Sequence, residues 1–266
     1  MNRDGAGDFG FTTPFSAIIF GTSGGIGSAL MQKAIAALSD RNLSNTPEGR
    51  IFAVNRRDMA AQERIVTCLR ADALEEPQLV QAAATVRSSM DGNACAPVRL
   101  IIVATGALQT ANGNGPEKSW RDLSCANMQE IYAANAVAPA LIAKHFLPLL
   151  PKSGRSVFAA LSARVGSISD NRLGGWYSYR ASKAALNQIL KTASIELSRT
   201  HSEAICVGLH PGTVDTGLSK PFQANVPDDK LFTTEQAAAH LLKSLSSLTA
   251  KQSGQVIAWD GTPVPA

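Results

Sequence analysis

Apolar and polar positions along this chain follow two alternating rhythms. Short apolar runs at 17–20, 50–54, 65–69, 98–103, 155–161, 204–209 and 255–259 read as strands. Between them, apolar positions recur every three or four residues over 26–38, 77–90, 124–146, 176–201 and 234–248, which reads as helix. The run Val98-Arg-Leu-Ile-Ile-Val103 is almost wholly apolar, as a parallel strand covered on both faces must be. This alternation predicts a Rossmann-type, doubly wound, seven-stranded parallel sheet in a three-layer α/β/α sandwich.

No internal repeat or linker divides the chain. The organisation expected is a single domain over 15–266, preceded by a flexible tail over 1–14 that holds three glycines, two aspartates and no apolar run. A polar loop is expected around 42–49. The stretch 212–233, with two prolines and mixed polarity, reads as a long loop or lid over a site.

Composition narrows the function classes. The 266 residues are 45% hydrophobic, enough for one large α/β core. A net charge of +4, 6% aromatics and no basic run give nucleic-acid binding little support. Cys68, Cys95, Cys125 and Cys206 are scattered, which fits reduced thiols in a cytoplasm. The four histidines show no metal-ligand spacing, so no metal is expected. The most apolar stretch, 133–150, carries Asn135, Lys144 and His145 and two prolines, so no membrane span is expected. The N-terminus lacks a signal-peptide pattern. Together these point to a cytoplasmic protein.

Two motifs carry chemistry. Gly21-Thr-Ser-Gly-Gly25-Ile-Gly27 follows a strand and opens a helix, the context in which glycines bring backbone N–H groups to a pyrophosphate. Gly21 permits the turn, Gly25 the approach of a phosphate, and Gly27 close helix–strand packing. In Tyr179-Arg-Ala-Ser-Lys183 the four-residue spacing puts phenol and ammonium on one helix face. A neighbouring ammonium favours phenolate and lowers a pKa ordinarily about 10, which readies the tyrosine for proton transfer. After the second strand stands Asn55-Arg56-Arg57 rather than a carboxylate. Arginine pairs with a 2′-phosphate, so NADP(H) is the expected cofactor, with Arg56 its first contact and Asp58 a possible competitor.

In this order and spacing the motifs resemble the short-chain dehydrogenase/reductases, over essentially 16–259. The resemblance implies a homodimer or homotetramer built through the helices at 124–146 and 176–201. It makes Tyr179 the general acid, Lys183 the residue that tunes it and bonds the nicotinamide ribose, and Asn135 the holder of a relay water. Asp72 matches the adenine contact. Ala104-Thr-Gly106 matches an Asn-Ala-Gly turn with its asparagine missing, and Pro211-Gly212-Thr-Val214-Asp-Thr216 the turn at the nicotinamide end. Ser23, Ile26, Asn55 and Val214 complete the implied cofactor set. Gly166-Ser-Ile-Ser-Asp with Gly174-Gly-Trp-Tyr-Ser-Tyr-Arg-Ala-Ser-Lys resembles the subgroup of the signalling C-factor and related carbonyl reductases.

The serine departs from the pattern. Counted back from Gly166, the family's catalytic serine position is Ala163, and Ser162 is one residue early; a shift of one reverses a strand residue's face. Ser162 restored by a bulge, or Ser167, is expected to fill the role. Trp176 and Tyr177 line the substrate pocket or merely pack at a helix start. Two readings stay open: an NADP(H)-dependent oxidoreductase acting on a small carbonyl or alcohol, and a weakly active or non-catalytic dinucleotide-binding signalling protein.

Overall fold

The computed structural model describes residues 9–39, 47–60, 63–224 and 226–266. Seven parallel strands form one sheet in the order β3-β2-β1-β4-β5-β6-β9. They are β1 (Ser16–Phe20), β2 (Ile51–Asn55), β3 (Val66–Arg70), β4 (Val98–Val103), β5 (Ser156–Leu161), β6 (Ala204–His210) and β9 (Val256–Ala258). Helices α1 (Gly25–Ser39), α2 (Glu76–Met90), α3 (Cys125–Tyr132), α4 (Ala138–Phe146), α5 (Tyr177–Ser198) and α6 (Thr234–Ser247) cover the faces. Ile18, Ile101 and Phe158 point into one apolar layer, and Ile19, Ile102 and Ala159 into the other, as the pleat requires. The strand order reverses between β1 and β4, which opens a crevice at their C-terminal ends.

Three expectations need correction. Phe9 and Phe11, placed in a flexible tail, are buried beside Phe15, with ring centroids 5.7 and 4.6 Å from it. Each such side chain contributes about 1.5–3 kcal/mol by burial; residues 1–8 and most of the loop around 42–49 lie outside the described residues. The 212–233 stretch is not structureless, since β7 (Thr213–Val214) pairs in parallel with β8 (Leu231–Phe232) across it. The helix expected over 124–146 is broken by a π-helical turn at Ala133–Val137, which contains Asn135. Such turns shift the backbone off the α ladder and recur at functional sites.

Candidate active site

The glycine loop leaves β1 and enters α1 at the crevice. Gly21 holds a left-handed backbone (φ 83°), and a Cβ there would press on Thr105 and Ala104 at 3.0–3.1 Å. A Cβ on Gly27 would lie 2.2 Å from the Gly21 carbonyl oxygen, so only glycine lets the helix start against its own loop. At Gly25 the close neighbours are the methyls of Thr234 (2.7 Å) and Thr216 (3.1 Å). Gly25 therefore admits the 216 and 234 segments alongside the loop. Ser23 and Gly25 are exposed at the rim, and no acidic residue occupies the first turn of α1. That free helix N-terminus fits an anionic diphosphate.

Asn55 braces this loop from below. Its Nδ2 donates to Thr22 Oγ1 (2.7 Å), and its Oδ1 accepts from the Ser23 N–H (3.0 Å). The side chain expected among the cofactor contacts is thus buried and turned onto the loop. Arg56 and Arg57 are exposed, and neither forms an ion pair among the described residues. Asp58 pairs with Arg70 at 3.4 Å rather than with Arg56. Asp72 accepts from the Leu74 N–H at 3.0 Å in the turn before α2.

Tyr179 and Lys183 rise from α5. The Lys183 ammonium lies 5.8 Å from the Tyr179 ring centroid and donates to the Leu161 carbonyl at 2.7 Å. Burial holds Lys183 down at about 8 and pushes Tyr179 up to about 12. This is opposite to the lowering of the phenol expected from the motif. Desolvation of both groups outweighs the attraction, because the ammonium is held against a carbonyl rather than the phenol oxygen. A Cβ on Gly106 would meet Asn135 Oδ1 at 3.0 Å and Lys183 Nζ at 3.5 Å, so these three converge. Fully buried Asn135 accepts from the Ala107 N–H (2.8 Å) and donates to the Ala107 carbonyl (2.7 Å) and Ser182 Oγ (3.1 Å). It locks the loop after β4 onto α5.

A cavity of about 300 Å³ opens over Tyr179. Its walls include Ile26 from the glycine loop's helix, Ala163, Trp176, His210, the 211–214 turn with Thr216, and Phe222. Trp176 sits in a left-handed backbone (φ 54°) and meets both Tyr179 and Phe222 edge-on, at 6.2 and 5.1 Å between centroids. Trp176 is therefore a wall residue, while Tyr177 does not line the cavity.

A family model described as short chain dehydrogenase matches residues 16–227. The chain belongs to the short-chain dehydrogenase family. The 1-hydroxy-2-glutathionyl-2-methyl-3-butene dehydrogenase of Rhodococcus sp. (strain AD45) is 38% identical over 128 residues, 48% of this chain and 54% of that protein. The match thus spans about half of that relative's length. C-signal of Myxococcus xanthus is 30% identical over 167 residues, 61% of this chain and 95% of that protein. The NADPH-bound carbonyl reductase from chicken fatty liver superposes with a TM-score of 0.78 at 26% identity, covering 98% of this chain and 97% of the other.

Both serines foreseen for the catalytic role have hydrogen-bond partners within the protein. Ser162 lines the same cavity as Tyr179, its Oγ donates to Asn187 Oδ1 at 2.6 Å, and the β5–β6 register runs unbroken up to Leu161. Ser167 Oγ donates to the Ala266 carbonyl at 3.3 Å and accepts from the Asp170 N–H at 3.1 Å. The methyl-bearing Ala163 stands in the cavity at the family's serine position. The sequence reading missed His210, Glu117 and Phe222. His210 was within reach of it, as the last residue of a parallel strand directly before Pro211-Gly212.

Proposed function

We propose that this chain is an NADP(H)-dependent carbonyl reductase, which moves hydride between the nicotinamide and a small, largely apolar carbonyl or alcohol. One observation carries the reading: Tyr179, Ile26 at the glycine loop and the turn from Pro211 to Val214 line a single cavity. When bound, the dinucleotide would supply the hydride. The free N-terminus of α1 would hold its diphosphate, and Arg56 with Arg57 its 2′-phosphate. Ala104, Gly106, Gly212, Val214 and Thr216 would border the nicotinamide half, and Asp72 the adenine.

Tyr179 then gives its proton to the substrate oxygen as hydride arrives, and takes it back in the reverse direction. Its raised pKa keeps it protonated at neutral pH, the form reduction needs. Lys183, carbonyl-bound and beside Gly106, anchors the nicotinamide ribose and supports proton return through Asn135's turn. Leu108, Val165, Leu218 and Val226 add apolar wall beside Ser162, Arg164 and Ser219, which favours a hydrophobic substituent on the carbonyl.

The same proposal includes a homodimer or homotetramer formed through α4 and α5, between which Ala140, Leu147, Ile189 and Ala193 line an open apolar groove. It also includes a cytoplasmic location, with the four cysteines free. No helix among the described residues is long and apolar enough to cross a membrane.

The test is NADPH consumption across a panel of aldehydes, ketones and quinones, for the parent and for Tyr179→Phe. A second reading, a weakly active dinucleotide-binding signalling protein, draws on Ala163 at the serine position and on the likeness to C-signal. Tight NADPH binding with no turnover on any panel member would select it.

A further inference from the structure

Ala163 leaves position 163 of the cavity wall without the hydroxyl that would polarise a substrate carbonyl, and Ser162 beside it spends its proton on Asn187. The nearby hydroxyls of Ser162 and Ser167 are already bonded elsewhere. One strand over, the sheet supplies a different group. Leu161 on β5 is in register with Leu209 on β6, and the Ser162 N–H donates to the Leu209 carbonyl at 2.8 Å. His210 follows immediately, level with Ser162 and Ala163, and lines the cavity that Tyr179 lines.

The His210 imidazole has no hydrogen bond among the described residues, and its Nδ1 is buried without a partner. An inward N–H left unpaired is the rarer and costlier defect, so the inner nitrogen carries the lone pair and Nε2 the proton. The ring is neutral: burial first, and then the Arg164 guanidinium, hold its pKa at about 4, against a smaller opposite pull from Asp260. A neutral imidazole donates a hydrogen bond without giving up its proton, a device known from other enzymes that polarise carbonyls.

We propose that His210, through Nε2–H, donates the hydrogen bond to the substrate's carbonyl oxygen that a serine at position 163 would otherwise give. Tyr179 and His210 then hold one oxygen between them, with Tyr179 delivering the proton and His210 remaining unchanged. The occupant is a carbonyl whose oxygen accepts two hydrogen bonds and whose substituents face Trp176, Leu218 and Phe222. This assignment rests on the reductase reading above.

The experiment compares the parent, Tyr179→Phe, His210→Phe, His210→Gln and the double variant His210→Phe/Ala163→Ser on the best carbonyl from the panel. NADPH affinity is measured separately by fluorescence titration. Removing one such donor costs roughly a hundred- to thousand-fold in kcat. His210→Phe is expected to show that loss with NADPH affinity unchanged. His210→Gln, which restores an N–H near Nε2, and the double variant, which installs the family's hydroxyl, should each recover at least tenfold (about 1.4 kcal/mol of barrier).

Histidine-selective ¹⁵N NMR on the parent gives a readout free of turnover and of folding defects in variants. It should show His210 neutral, with its proton on Nε2, at neutral pH. A proton on Nδ1, a charged ring, or kcat/KM within twofold of the parent for His210→Phe overturns the assignment. If Tyr179→Phe is inactive while His210→Phe is not, only His210 falls. A parent that turns over nothing overturns the reductase reading and this one with it.

Discussion

Glu117 caps the helix that carries Tyr179: its carboxylate accepts from the Ser178 backbone N–H at 3.1 Å and from the Ser178 hydroxyl, 61 residues further along the chain. No side chain caps α5 locally, since Trp176 stands at the N-cap in a left-handed conformation. The buried carboxyl group does this from a separate loop, at the end of the helix where backbone N–H groups lack partners within it.

Glu117→Ala is expected to orphan both groups and to destabilise the fold by about 1–3 kcal/mol. It should also lower kcat, because Tyr179 lies in the first turn. Glu117→Gln keeps the shape and one acceptor oxygen, so its loss should be smaller on both counts. Thermal unfolding and turnover of the two variants check this. Equal melting of Glu117→Ala and the parent would remove Glu117 from the account.

Arg56 is expected to decide cofactor preference. It is exposed after β2 with no ion pair among the described residues, while Asp58 is drawn to Arg70. A charge-assisted contact to a 2′-phosphate contributes about 1.5–3 kcal/mol. Arg56→Ala should therefore raise the NADPH dissociation constant roughly tenfold or more and leave that for NADH nearly unchanged. A parent that binds both dinucleotides equally would contradict it.

The sheet was legible because its strands are continuous apolar runs, and all seven lie within a residue or two of where those runs fall. The glycine loop and the Tyr179–Lys183 pair were legible because loop and helix spacing alone bring them to the strand ends. What could not be read depends on contacts distant in sequence. Glu117 caps a helix from another loop, and no local pattern marks it. Phe9 and Phe11 look like tail residues until the start of β1 offers them Phe15. The Asn135 motif identified a residue but not the π turn beneath it. The Tyr179 shift runs opposite to what the four-residue spacing to Lys183 implies, because desolvation of both groups outweighs the ammonium's attraction.

Tyr179→Phe keeps the ring against Trp176 and removes only the hydroxyl. NADPH binding should survive and kcat should fall by about a hundred- to ten-thousand-fold. Lys183→Ala should lose both activity and cofactor affinity. Ser162→Ala should cost little, since its hydroxyl is bonded to Asn187. Steady-state kinetics with a separate binding titration distinguish the three, and near-normal turnover by Tyr179→Phe would end the mechanism.

The site residues also set how stability responds to pH. His210 titrates at about 4 in the folded protein against an ordinary 6.5, so between those values unfolding takes up a proton. Stability therefore rises with pH across that window and is lost as pH falls through it. Lys183, held at about 8 against an ordinary 10.5, acts in the same direction at alkaline pH: unfolding takes up its proton, and stability rises from 8 toward 10.5. Tyr179 opposes this further up. Its proton is retained in the folded state between 10 and about 12, so stability falls with pH there. Urea midpoints of the cofactor-free protein, measured across pH, should show all three slopes. His210→Gln should flatten the acid slope by at most about 3 kcal/mol over its window, and Lys183→Met the slope above pH 8. An acid slope identical in His210→Gln and the parent would mean that the imidazole is not held neutral by its burial.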